Sequence, residues 1–357
     1  MTLEMEHVLI LPDTSIGQAI ARIDRNHRGI VLVVRPDQQL LGTITDGDVR
    51  RAMLAGLKLD TPVSALLTVK AATKLKPVTA LAGTPADALL ALMRQHSVRQ
   101  IPLLNESGQV VDLVTLDELL PRQDLLLQAV IMAGGQGTRL RPLTEDLPKP
   151  MLPVGGRPLM ERIVQQLQQA GIRRVNVTTH YKPEKIIEYF GDGHAFGVDL
   201  NYVNEDRPLG TGGALGLMPQ PTEPVLVING DILTQVDFRA MLDFHQENKA
   251  DLTIAVRRYE VPVPYGVIEC DGPLVQHLRE KPQVSLLVNA GIYLLEPTVF
   301  QFIPQGQHFN MTDLIQWLLD AQRIVASFPV HEYWLDIGQH ADYAQAQSDS
   351  ESGKVTP

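Results

Sequence analysis

A glycine-rich loop followed by two cationic side chains is the part of this sequence with the clearest chemical meaning. Residues 133–140 read Ala-Gly-Gly-Gln-Gly-Thr-Arg-Leu, and a Lys-Pro pair begins at Lys149. The apolar run over 125–132 predicts a buried strand directly before the loop. Glycines there let the backbone approach a ligand closely and direct N–H groups at anionic oxygens. Together with the charges of Arg139 and Lys149, the loop has the groups that a triphosphate requires.

The loop differs from the two commoner phosphate-binding loops. A P-loop would need Gly-Lys-Ser or Gly-Lys-Thr after four spacer residues, and a dinucleotide fingerprint would need glycine where Leu140 stands. Three glycines alone are also typical of a tight turn at the end of a strand. The combination of the glycines with Arg139 and Lys149 favours a nucleotide site.

At these residues the chain resembles the sugar-1-phosphate nucleotidyltransferases. Their signature is Gly-Gly-x-Gly-Thr-Arg-Leu with Lys-Pro about ten residues later, and the resemblance covers roughly residues 127–345. Six further blocks follow in the family's order: Pro208-Leu209-Gly210-Thr211-Gly212-Gly213-Ala214, Asn229-Gly230-Asp231, Tyr265-Gly266-Val267, Glu280-Lys281-Pro282, Asn289-Ala290-Gly291 and Trp334-Leu335-Asp336-Ile337-Gly338. The order makes the resemblance far more specific than any single block.

Length and composition set the limits of the interpretation. The 357 residues are enough for two domains with full cores, and 44% apolar and 20% charged residues are typical of a globular protein. The net charge of −10 argues against a nucleic-acid partner. A single cysteine, Cys270, allows no internal disulfide and fits a reducing cytoplasm. No stretch has the character of a signal peptide or a membrane helix, so we expect a cytoplasmic protein with no membrane partner.

The first 122 residues contain two similar units. The first predicts a helix over 16–26, strands over 29–34 and 40–44 and a helix over 48–55; the second repeats this as a helix over 85–96, strands over 100–104 and 110–114 and a helix over 117–120. Such a repeat indicates a pseudo-symmetric pair packed together. It resembles a cystathionine-β-synthase (CBS) domain pair of α+β type.

The CBS resemblance implies a regulatory nucleotide site in the first unit. In such domains a Thr and an Asp at the positions of Thr45 and Asp48 hold the phosphate and ribose of a nucleotide. The second unit has Asp112 in place of a glycine and Glu118 in place of the ribose-binding Asp, so a second site is doubtful. Thr45 and Asp48 are equally consistent with a turn and helix cap. The repeat is also expected to aid formation of a homo-oligomer.

The remaining sequence alternates strands and helices. Strands are predicted over 175–179, 199–203, 225–228 and 252–256, with helices over 160–169, 184–189, 238–247 and 312–319. This pattern predicts an α/β fold, a mixed and mainly parallel Rossmann-like sheet covered by helices on both faces. Ligands of such sheets bind at the carboxyl ends of the strands. Trp317, in the last of these helices, is most simply read as a core residue.

The predicted domains are a regulatory CBS pair over 1–122 and a catalytic nucleotidyltransferase domain over 123–347. The short junction Pro121-Arg122-Gln123-Asp124 contains a proline that separates the two. Residues 348–357 are polar and have almost no apolar surface to bury, so we predict a disordered tail.

The resemblance implies a reaction between a nucleoside triphosphate and a sugar 1-phosphate. A sugar-phosphate oxygen attacks the α-phosphorus in line, pyrophosphate leaves, and charge neutralisation replaces a general base. Arg139 would hold the pyrophosphate and Lys149 would bridge the phosphates. Asp231 and Asp336 would bind Mg²⁺, which prefers one or two carboxylates together with substrate phosphates. Alone, each Asp would be read as a turn residue, and only the fold can bring them together.

The remaining site residues are also carried over from the family. Lys281 would hold the sugar phosphate, and Gly266, Glu280 and Asn289 would meet the sugar hydroxyls; loop geometry explains these residues equally well. The residues expected to line the nucleotide are Ala133, Gly134, Gly135, Gly137, Thr138, Glu205 and Gly210.

Glu205 aligns with the position where thymidylyl enzymes use a Gln to bind thymine. A carboxylate only accepts hydrogen bonds, and guanine offers two adjacent donors, N1–H and the 2-amino group. Uracil and thymine offer one donor between two acceptors. We therefore expect GTP, although a shift of one residue in the alignment would place Asn204 or Asp206 there.

A CBS pair fused ahead of such a domain is similar to the guanylyltransferases of bacterial legionaminic acid biosynthesis, which use glucosamine 1-phosphate. Enzymes for mannose 1-phosphate and heptose 1-phosphate share the Leu-Gly-Thr block. Uridylyl or thymidylyl transfer to a hexose 1-phosphate is the alternative within the enzyme class. A nucleotide-sensing protein with an inactive transferase domain is the alternative outside it, although Arg139, Lys149, Asp231 and Asp336 are all present.

Overall fold

The computed structural model describes residues 5–26, 28–72, 76–120 and 124–355. Two compact units divide the chain, Met1–Gln123 and Asp124–Pro357. Residues 121–123 of the predicted junction lie outside the described residues.

The first unit contains the predicted repeat. Its elements are β1 (Leu9–Ile10), α1 (Ile16–Asn26), β2 (Ile30–Val34), β3 (Leu40–Thr45), α2 (Asp46–Leu54), α3 (Val63–Ala72), β4 (Ala80–Leu81), α4 (Ala86–His96), β5 (Gln100–Leu104), β6 (Val110–Thr115) and α5 (Leu116–Leu119). The strands form two three-stranded sheets, β1-β2-β3 and β4-β5-β6, each with one parallel and one antiparallel pair. The prediction of two α+β units is confirmed, while α3 was not foreseen.

The second unit is built on one large sheet. Its first elements are β7 (Gln128–Met132), β8 (Pro153–Val154), β9 (Arg157–Pro158), α6 (Leu159–Ala170), β10 (Arg174–Thr179), α7 (Pro183–Phe190), β11 (Asp199–Asn204), α8 (Gly210–Gly213) and β12 (Val225–Asn229). Next come β13 (Ile232–Thr234), α9 (Phe238–Glu247), β14 (Leu252–Pro262), β15 (Val267–Asp271), β16 (Leu274–Arg279), β17 (Gln283–Leu295), α10 (Met311–Asp320), β18 (Val325–Val330), β19 (Trp334–Asp336) and α11 (His340–Glu351).

Seven strands form this sheet in the order β11-β10-β7-β12-β17-β14-β18. Only β17 runs antiparallel to its neighbours, so the predicted mixed and mainly parallel sheet is confirmed. β7 and β12 lie at its centre and are almost wholly buried, as expected of strands covered by helices on both faces. The loops that follow the parallel strands therefore meet at one edge of the sheet.

The amphipathic helices cover the sheet as their patterns predict. The helix α6 buries Ile163, Val164 and Leu167 and ends at Gly171 in the left-handed conformation (φ 87°), a C-cap that glycine adopts without strain. The helix α9 begins at Asp237, whose carboxylate accepts hydrogen bonds from two backbone amides of the first turn. These helices fix the strand ends from which the site is built.

The predicted disordered tail is wrong for residues 348–355. The helix α11 continues to Glu351, and Val355 is 5% exposed in an apolar cluster with Leu140 and Ile337. Asp349 accepts hydrogen bonds from Tyr333 and Lys354. The polar composition of the segment predicted that it has no apolar surface to bury. In the structure, the buried Val355 and the hydrogen-bonded carboxylate of Asp349 hold it against the rest of the unit.

This attachment leads to a prediction about stability. Val355→Ala removes buried apolar surface at the end of the chain, so we expect the free energy of unfolding to fall by about 1–2 kcal/mol. Chemical unfolding followed by circular dichroism measures it. A variant as stable as the parent protein would show that the segment after α11 does not contribute to the core.

Candidate functional site

The glycine-rich loop starts at the carboxyl end of β7 and is held by a buried threonine. Thr144 donates a 2.8 Å hydrogen bond from its hydroxyl to the carbonyl of Gly137 and is fully buried. Gly137 has φ 61°, and a Cβ there would lie 2.9 Å from the Thr144 methyl group. Glycine is therefore required at this position by backbone and packing alike. Sequence reasoning missed Thr144, whose type and position carry no distinctive signal.

Two carboxylates far apart in sequence meet through a short antiparallel ladder. In the pairing of β13 with β19, Ile232 lies opposite Asp336. The amide of Ile337 donates a 3.1 Å hydrogen bond to the carbonyl of Asp231. Asp231 and Asp336, separated by about a hundred residues, thus occupy neighbouring positions on two adjacent segments.

The two predicted phosphate-binding cations lie beside these carboxylates. Lys149 is buried, and its Nζ lies 2.5 Å from Oδ2 of Asp231. The Arg139 guanidinium lies beside Gly338, two residues after Asp336. A Cβ added to Gly338 would be 3.5 Å from it. Partial burial, with the charge of Asp231, raises the pKa of Asp336, while Lys149 and Arg139 oppose the rise. The structure therefore brings together all four residues that the sequence predicts as catalytic.

The carboxylate pair fits a hard divalent cation. Oδ1 of Asp231 is buried and, within the described residues, has no hydrogen-bond partner. Oδ1 of the nearby Asn229 is also buried and, among the described residues, also lacks a hydrogen-bond partner. A buried carboxylate oxygen without a partner is costly unless a ligand or an ion satisfies it. Oxygen ligands of this kind, with Asp336 adjacent, are the set that Mg²⁺ prefers.

Glu205 lies against the glycine loop. It is buried after β11, and its Oε2 accepts a 2.9 Å hydrogen bond from the amide of Leu209. Its Oε1 would be only 2.5 Å from a Cβ at Gly134, so any other residue there would displace the carboxylate. Burial raises the pKa of Glu205, and the Leu209 amide and His180 oppose the rise. The Nδ1 atom of His180 lies 2.8 Å from the backbone carbonyl oxygen of Glu205.

The other residues predicted to line the nucleotide differ in burial and in the space around them. Ala133 is buried and its amide donates to the carbonyl of Thr178, while Thr138 is exposed at the start of a 3-10 helix. A Cβ at Gly135 would meet no atom within 4 Å. Gly210 has φ 78°, and a Cβ added there would lie 2.6 Å from the side chain of Asn310. Protein packing alone therefore explains the glycine at 210.

The residues predicted to bind the sugar phosphate lie around the hairpin of β15 and β16. Gly266 precedes β15 and Glu280 follows β16, and a Cβ at Gly266 would lie 3.0 Å from the Glu280 carboxylate. Lys281 is exposed with φ 42°. Asn289 accepts a hydrogen bond from the amide of Gly291 and donates one to the hydroxyl of Tyr293. Asn289 lies in the middle of β17 rather than at the hairpin, and its side chain has a structural role where the register between β14 and β17 shifts.

In the first unit, Thr45 and Asp48 form a capping box at the start of α2. The carboxylate of Asp48 is buried and also pairs with Lys70 at 2.7 Å and Arg51 at 2.9 Å. Burial alone would raise the pKa of Asp48, but the charge and hydrogen bond of Lys70, with the Thr45 amide and Arg51, lower it below its ordinary 3.8. The capping alternative is therefore present in the structure, and Asp48 has local partners that a nucleotide would have to replace.

These contacts predict how Asp48 contributes to stability. Asp48→Asn removes the charge, so we expect the first unit to lose about 1–2 kcal/mol at neutral pH, since the partly exposed cations are screened by solvent. Because the pKa is lowered by folding, the contribution is present above pH 3.8 and disappears as the pH falls through the lower native value. Urea unfolding between pH 7 and pH 3 tests this, with the exposed Asp60→Asn as control. A difference that grows on acidification would contradict it.

The profile of the nucleotidyl transferase family matches residues 128–353, and the CBS domain profile matches residues 5–55 and 69–123. The chain belongs to the nucleotidyl transferase family. The resemblance stated from the sequence blocks is therefore confirmed, including the CBS pair ahead of the transferase domain.

Named relatives lie within the same family. The chain is 36% identical over 231 residues to the mannose-1-phosphate guanylyltransferase of Mycobacterium tuberculosis, which covers 62% of this chain and 64% of that protein. It therefore spans just under two thirds of that relative's length. It is 35% identical over 226 residues to the D-glycero-alpha-D-manno-heptose 1-phosphate guanylyltransferase of Aneurinibacillus thermoaerophilus, covering 62% of this chain and 98% of the relative. The solved structure of HddC from Yersinia pseudotuberculosis superposes with a TM-score of 0.50 at 28% identity, over 62% of this chain and 99% of that one.

Within the part of the chain that the structure describes, no helix combines the length and apolar character needed to cross a membrane.

Proposed function

We propose that this nucleotidyl transferase moves a guanylyl group from GTP to a sugar 1-phosphate, giving a GDP-sugar and pyrophosphate. The observation that carries the proposal is the cluster of Lys149, Asp231, Asp336 and Arg139, formed by segments from three parts of the chain. Its two cations beside two carboxylates suit a polyphosphate accompanied by a metal ion. Residues 123–347 form the catalytic domain in this proposal.

The reaction requires positioning and charge compensation rather than a base. The attacking oxygen of the sugar phosphate is already ionised, so it can approach the α-phosphorus without losing a proton. Arg139 binds the departing pyrophosphate through several N–H donors, and Lys149 supplies a point charge between the phosphates. The glycine loop, kept open by the contact of Thr144 with Gly137, offers its amides to the same oxygens.

Asp231 and Asp336 would hold Mg²⁺, which when bound neutralises phosphate charge as it develops. Oδ1 of Asp231 is the buried oxygen available for this purpose. In the described structure Oδ2 of the same carboxylate accepts from Lys149. The lysine therefore fixes the orientation of Asp231 and leaves its second oxygen for the ion.

Base selection is assigned to Glu205. Its Oε2 is held by the Leu209 amide, and its Oε1 faces the glycine loop at Gly134. An acceptor fixed at this point fits the N1–H and 2-amino donors of guanine and repels the carbonyl oxygens of uracil or thymine. The names of the two relatives described above, both guanylyltransferases, are consistent with this choice.

The acceptor is a hexose or heptose 1-phosphate, which the Gly266, Glu280 and Lys281 group would contact. Mannose 1-phosphate and heptose 1-phosphate are the acceptors in the names of the two relatives. Glucosamine 1-phosphate, as used in legionaminic acid biosynthesis, remains the third candidate on the resemblance of the fused CBS arrangement.

Release of pyrophosphate across a grid of four nucleoside triphosphates and these three sugar 1-phosphates tests the proposal. We expect the highest kcat/KM with GTP and with only one of the sugars. The best activity with UTP or dTTP would contradict the assignment of the base. Absence of turnover in every combination, with nucleotide still bound, would favour the sensing protein without catalysis.

The CBS pair over residues 1–122 is proposed to bind a purine nucleotide and regulate the catalytic domain. Such regulation needs different ligand affinities in two catalytic states. Calorimetry on the full chain with AMP and ATP, compared with Thr45→Ala, tests binding without removing the charge of Asp48; GTP is left out because it also binds the proposed catalytic site. Binding that Thr45→Ala leaves unchanged would exclude the site at the start of α2.

A further inference from the structure

The helix α11 carries a row of polar side chains along one face, and all of them bond to the same stretch of the chain. They are His340, Tyr343, Gln347 and Ser350, spaced three, four and three residues apart, which places them on one side of the helix. Each has a hydrogen-bond partner within residues 141–162. We refer to these four residues as the polar row. Polar side chains on a helix usually turn to water, whereas these four connect α11 to another part of its unit.

The centre of the polar row holds the hairpin of β8 and β9. The Tyr343 hydroxyl and the Gln347 amide nitrogen each donate a 2.7 Å hydrogen bond to the carbonyl of Pro153. The amide oxygen of Gln347 accepts a 3.1 Å hydrogen bond from the amide of Gly155. A Cβ at Gly155 would overlap the hydroxyl of Ser350, so only glycine allows the helix to come this close. The hairpin therefore engages both ends of the glutamine amide.

The two ends of α11 contact two further segments. Nε2 of His340 lies 2.9 Å from the carbonyl oxygen of Arg141, and since a carbonyl only accepts, this nitrogen donates. Near the other end, Asp349 accepts a 2.9 Å hydrogen bond from the hydroxyl of Tyr333, which directly precedes β19. The helix therefore contacts the segment after the glycine loop, the hairpin and the start of β19.

A proposed catalytic residue lies close in sequence to each of these three contacts. Arg139 is two residues before Arg141. Lys149 is four residues before Pro153. Asp336 is the last residue of β19. The three catalytic side chains thus come from separate segments, and α11 contacts all three segments.

Displacement of either of the first two segments would move the cation that it carries. The amide of Leu152, the residue before the hairpin, donates a 3.1 Å hydrogen bond to the carbonyl of Lys149. The amide of Arg141 donates to the carbonyl of Thr138, the residue before Arg139. Within the described ranges, no hydrogen bond or ion pair holds the Arg139 guanidinium. Its place therefore depends on the backbone that carries it.

We infer that Tyr343 and Gln347 are positioning residues of the transfer reaction, an inference that rests on the proposed function. By holding the hairpin against α11, they keep Lys149 in the arrangement with Arg139 and Asp336 that one pyrophosphate and its metal ion require. They act without touching a substrate. A displacement of about 1 Å at such a cluster can lower a rate about a hundredfold, even when the altered residue lies away from the chemistry.

The polar row acts on the phosphate side of the site. Among the described residues, none of its four side chains bonds to the segments around Glu205 or Lys281. Loss of the row should therefore lower kcat and weaken the binding of pyrophosphate, while the preference for the base and the binding of the sugar 1-phosphate stay unchanged. A helix that only stabilised the fold would lower the apparent kcat through the fraction of folded protein. It would leave the inhibition constant of pyrophosphate unchanged.

Two substitutions remove these contacts and a third serves as control. Tyr343→Phe removes the hydroxyl that donates to Pro153, and Gln347→Met removes the bonds of the amide but keeps a side chain of similar length. The control is Tyr202→Phe in β11, because the Tyr202 hydroxyl also donates a 2.7 Å hydrogen bond to a backbone carbonyl, that of Gly191. We expect similar decreases in Tm for the two tyrosine variants and different kinetics.

Steady-state kinetics of the full chain measure the positioning role. We expect kcat to fall about tenfold in Tyr343→Phe and in Gln347→Met, and further when the two are combined. The inhibition constant of pyrophosphate should rise by a similar factor. The KM for the sugar 1-phosphate and the ratio of kcat/KM for GTP and UTP should change less than about twofold. An unchanged inhibition constant in variants whose kcat falls would overturn the inference and leave α11 with a role in folding alone.

Binding of pyrophosphate separates this inference from the proposed function. Calorimetry of the full chain with pyrophosphate and Mg²⁺ requires no turnover. Weaker binding in both variants of the polar row, and not in Tyr202→Phe, would support the positioning role even if no sugar 1-phosphate were turned over; only the proposed transfer would then fail. Equal dissociation constants in the parent protein and all variants, or no binding by the parent protein, would overturn the inference whatever the activity.

Discussion

Asp231→Asn is expected to lower kcat by about 10²–10³-fold or more, since removal of one preorganised electrostatic contact to a transition state costs that much. The substitution keeps the size of the side chain but removes the charge that faces both Lys149 and the proposed Mg²⁺. The buried Lys149 also loses its partner, 2.5 Å away. We therefore expect stability to fall by about 1–3 kcal/mol, at the lower end if water reaches the lysine.

Two measurements separate these effects. Calorimetry of Mg²⁺ in the presence of GTP reports the metal site without turnover, and thermal unfolding reports the lost ion pair. The exposed Asp320→Asn on α10 is the control and should match the parent protein in both. Near-normal kcat at limiting Mg²⁺, in a variant that still folds, would refute the role of Asp231.

The sequence predicts the members of this site better than their geometry. The order of the blocks is enough to single out Arg139, Lys149, Asp231 and Asp336 in the family's pattern. The proximity of Asp231 to Asp336 depends on β13 and β19, strands of three residues each. Strands so short have no periodicity to detect, and their pairing joins distant parts of the chain. The geometry could therefore come only from the folded structure.

Errors in the sequence analysis arose where a single contact outweighed composition. Trp317 was expected in the core, yet it is half exposed and packs against Phe302, with ring centroids 4.5 Å apart. The long indole can cover a neighbour from the surface, so its hydrophobicity did not require burial. The polar segment over residues 348–357 was expected to be disordered, yet Val355 packs in an apolar cluster with Leu140 and Ile337.

The exposed first half of β17 illustrates a different limit. The run of apolar residues in β17 predicts a buried strand equally well along its whole length, yet its first residues are exposed and its last ones buried. Sequence patterns report which residues should be covered, and they do not say whether the same chain or another one covers them.

Glu205→Gln is expected to reverse the preference for the base. The Leu209 amide must still find an acceptor, so the amide oxygen of the glutamine should take the position of Oε2. The NH₂ group then lies where Oε1 was, beside Gly134. This donor cannot bond the N1–H and 2-amino donors of guanine, but it can donate a hydrogen bond to a carbonyl oxygen of uracil or thymine. We expect kcat/KM for GTP to fall about 10–100-fold or more, and the value for UTP or dTTP to rise.

A second variant displaces the Glu205 carboxylate without replacing the residue. Gly134→Ala places a methyl group against Oε1 of Glu205, and the buried carboxylate must move aside. Its preference for GTP should therefore weaken in the same direction as in Glu205→Gln. The control is Glu161→Gln, because Glu161 is as buried as Glu205 but lies on α6, hydrogen-bonded to Tyr189. Competition assays with equal GTP and UTP measure the ratio directly. If Gly134→Ala and Glu205→Gln both lower GTP and UTP use equally, the pocket has lost its shape rather than its base recognition, and Glu205 does not select the base.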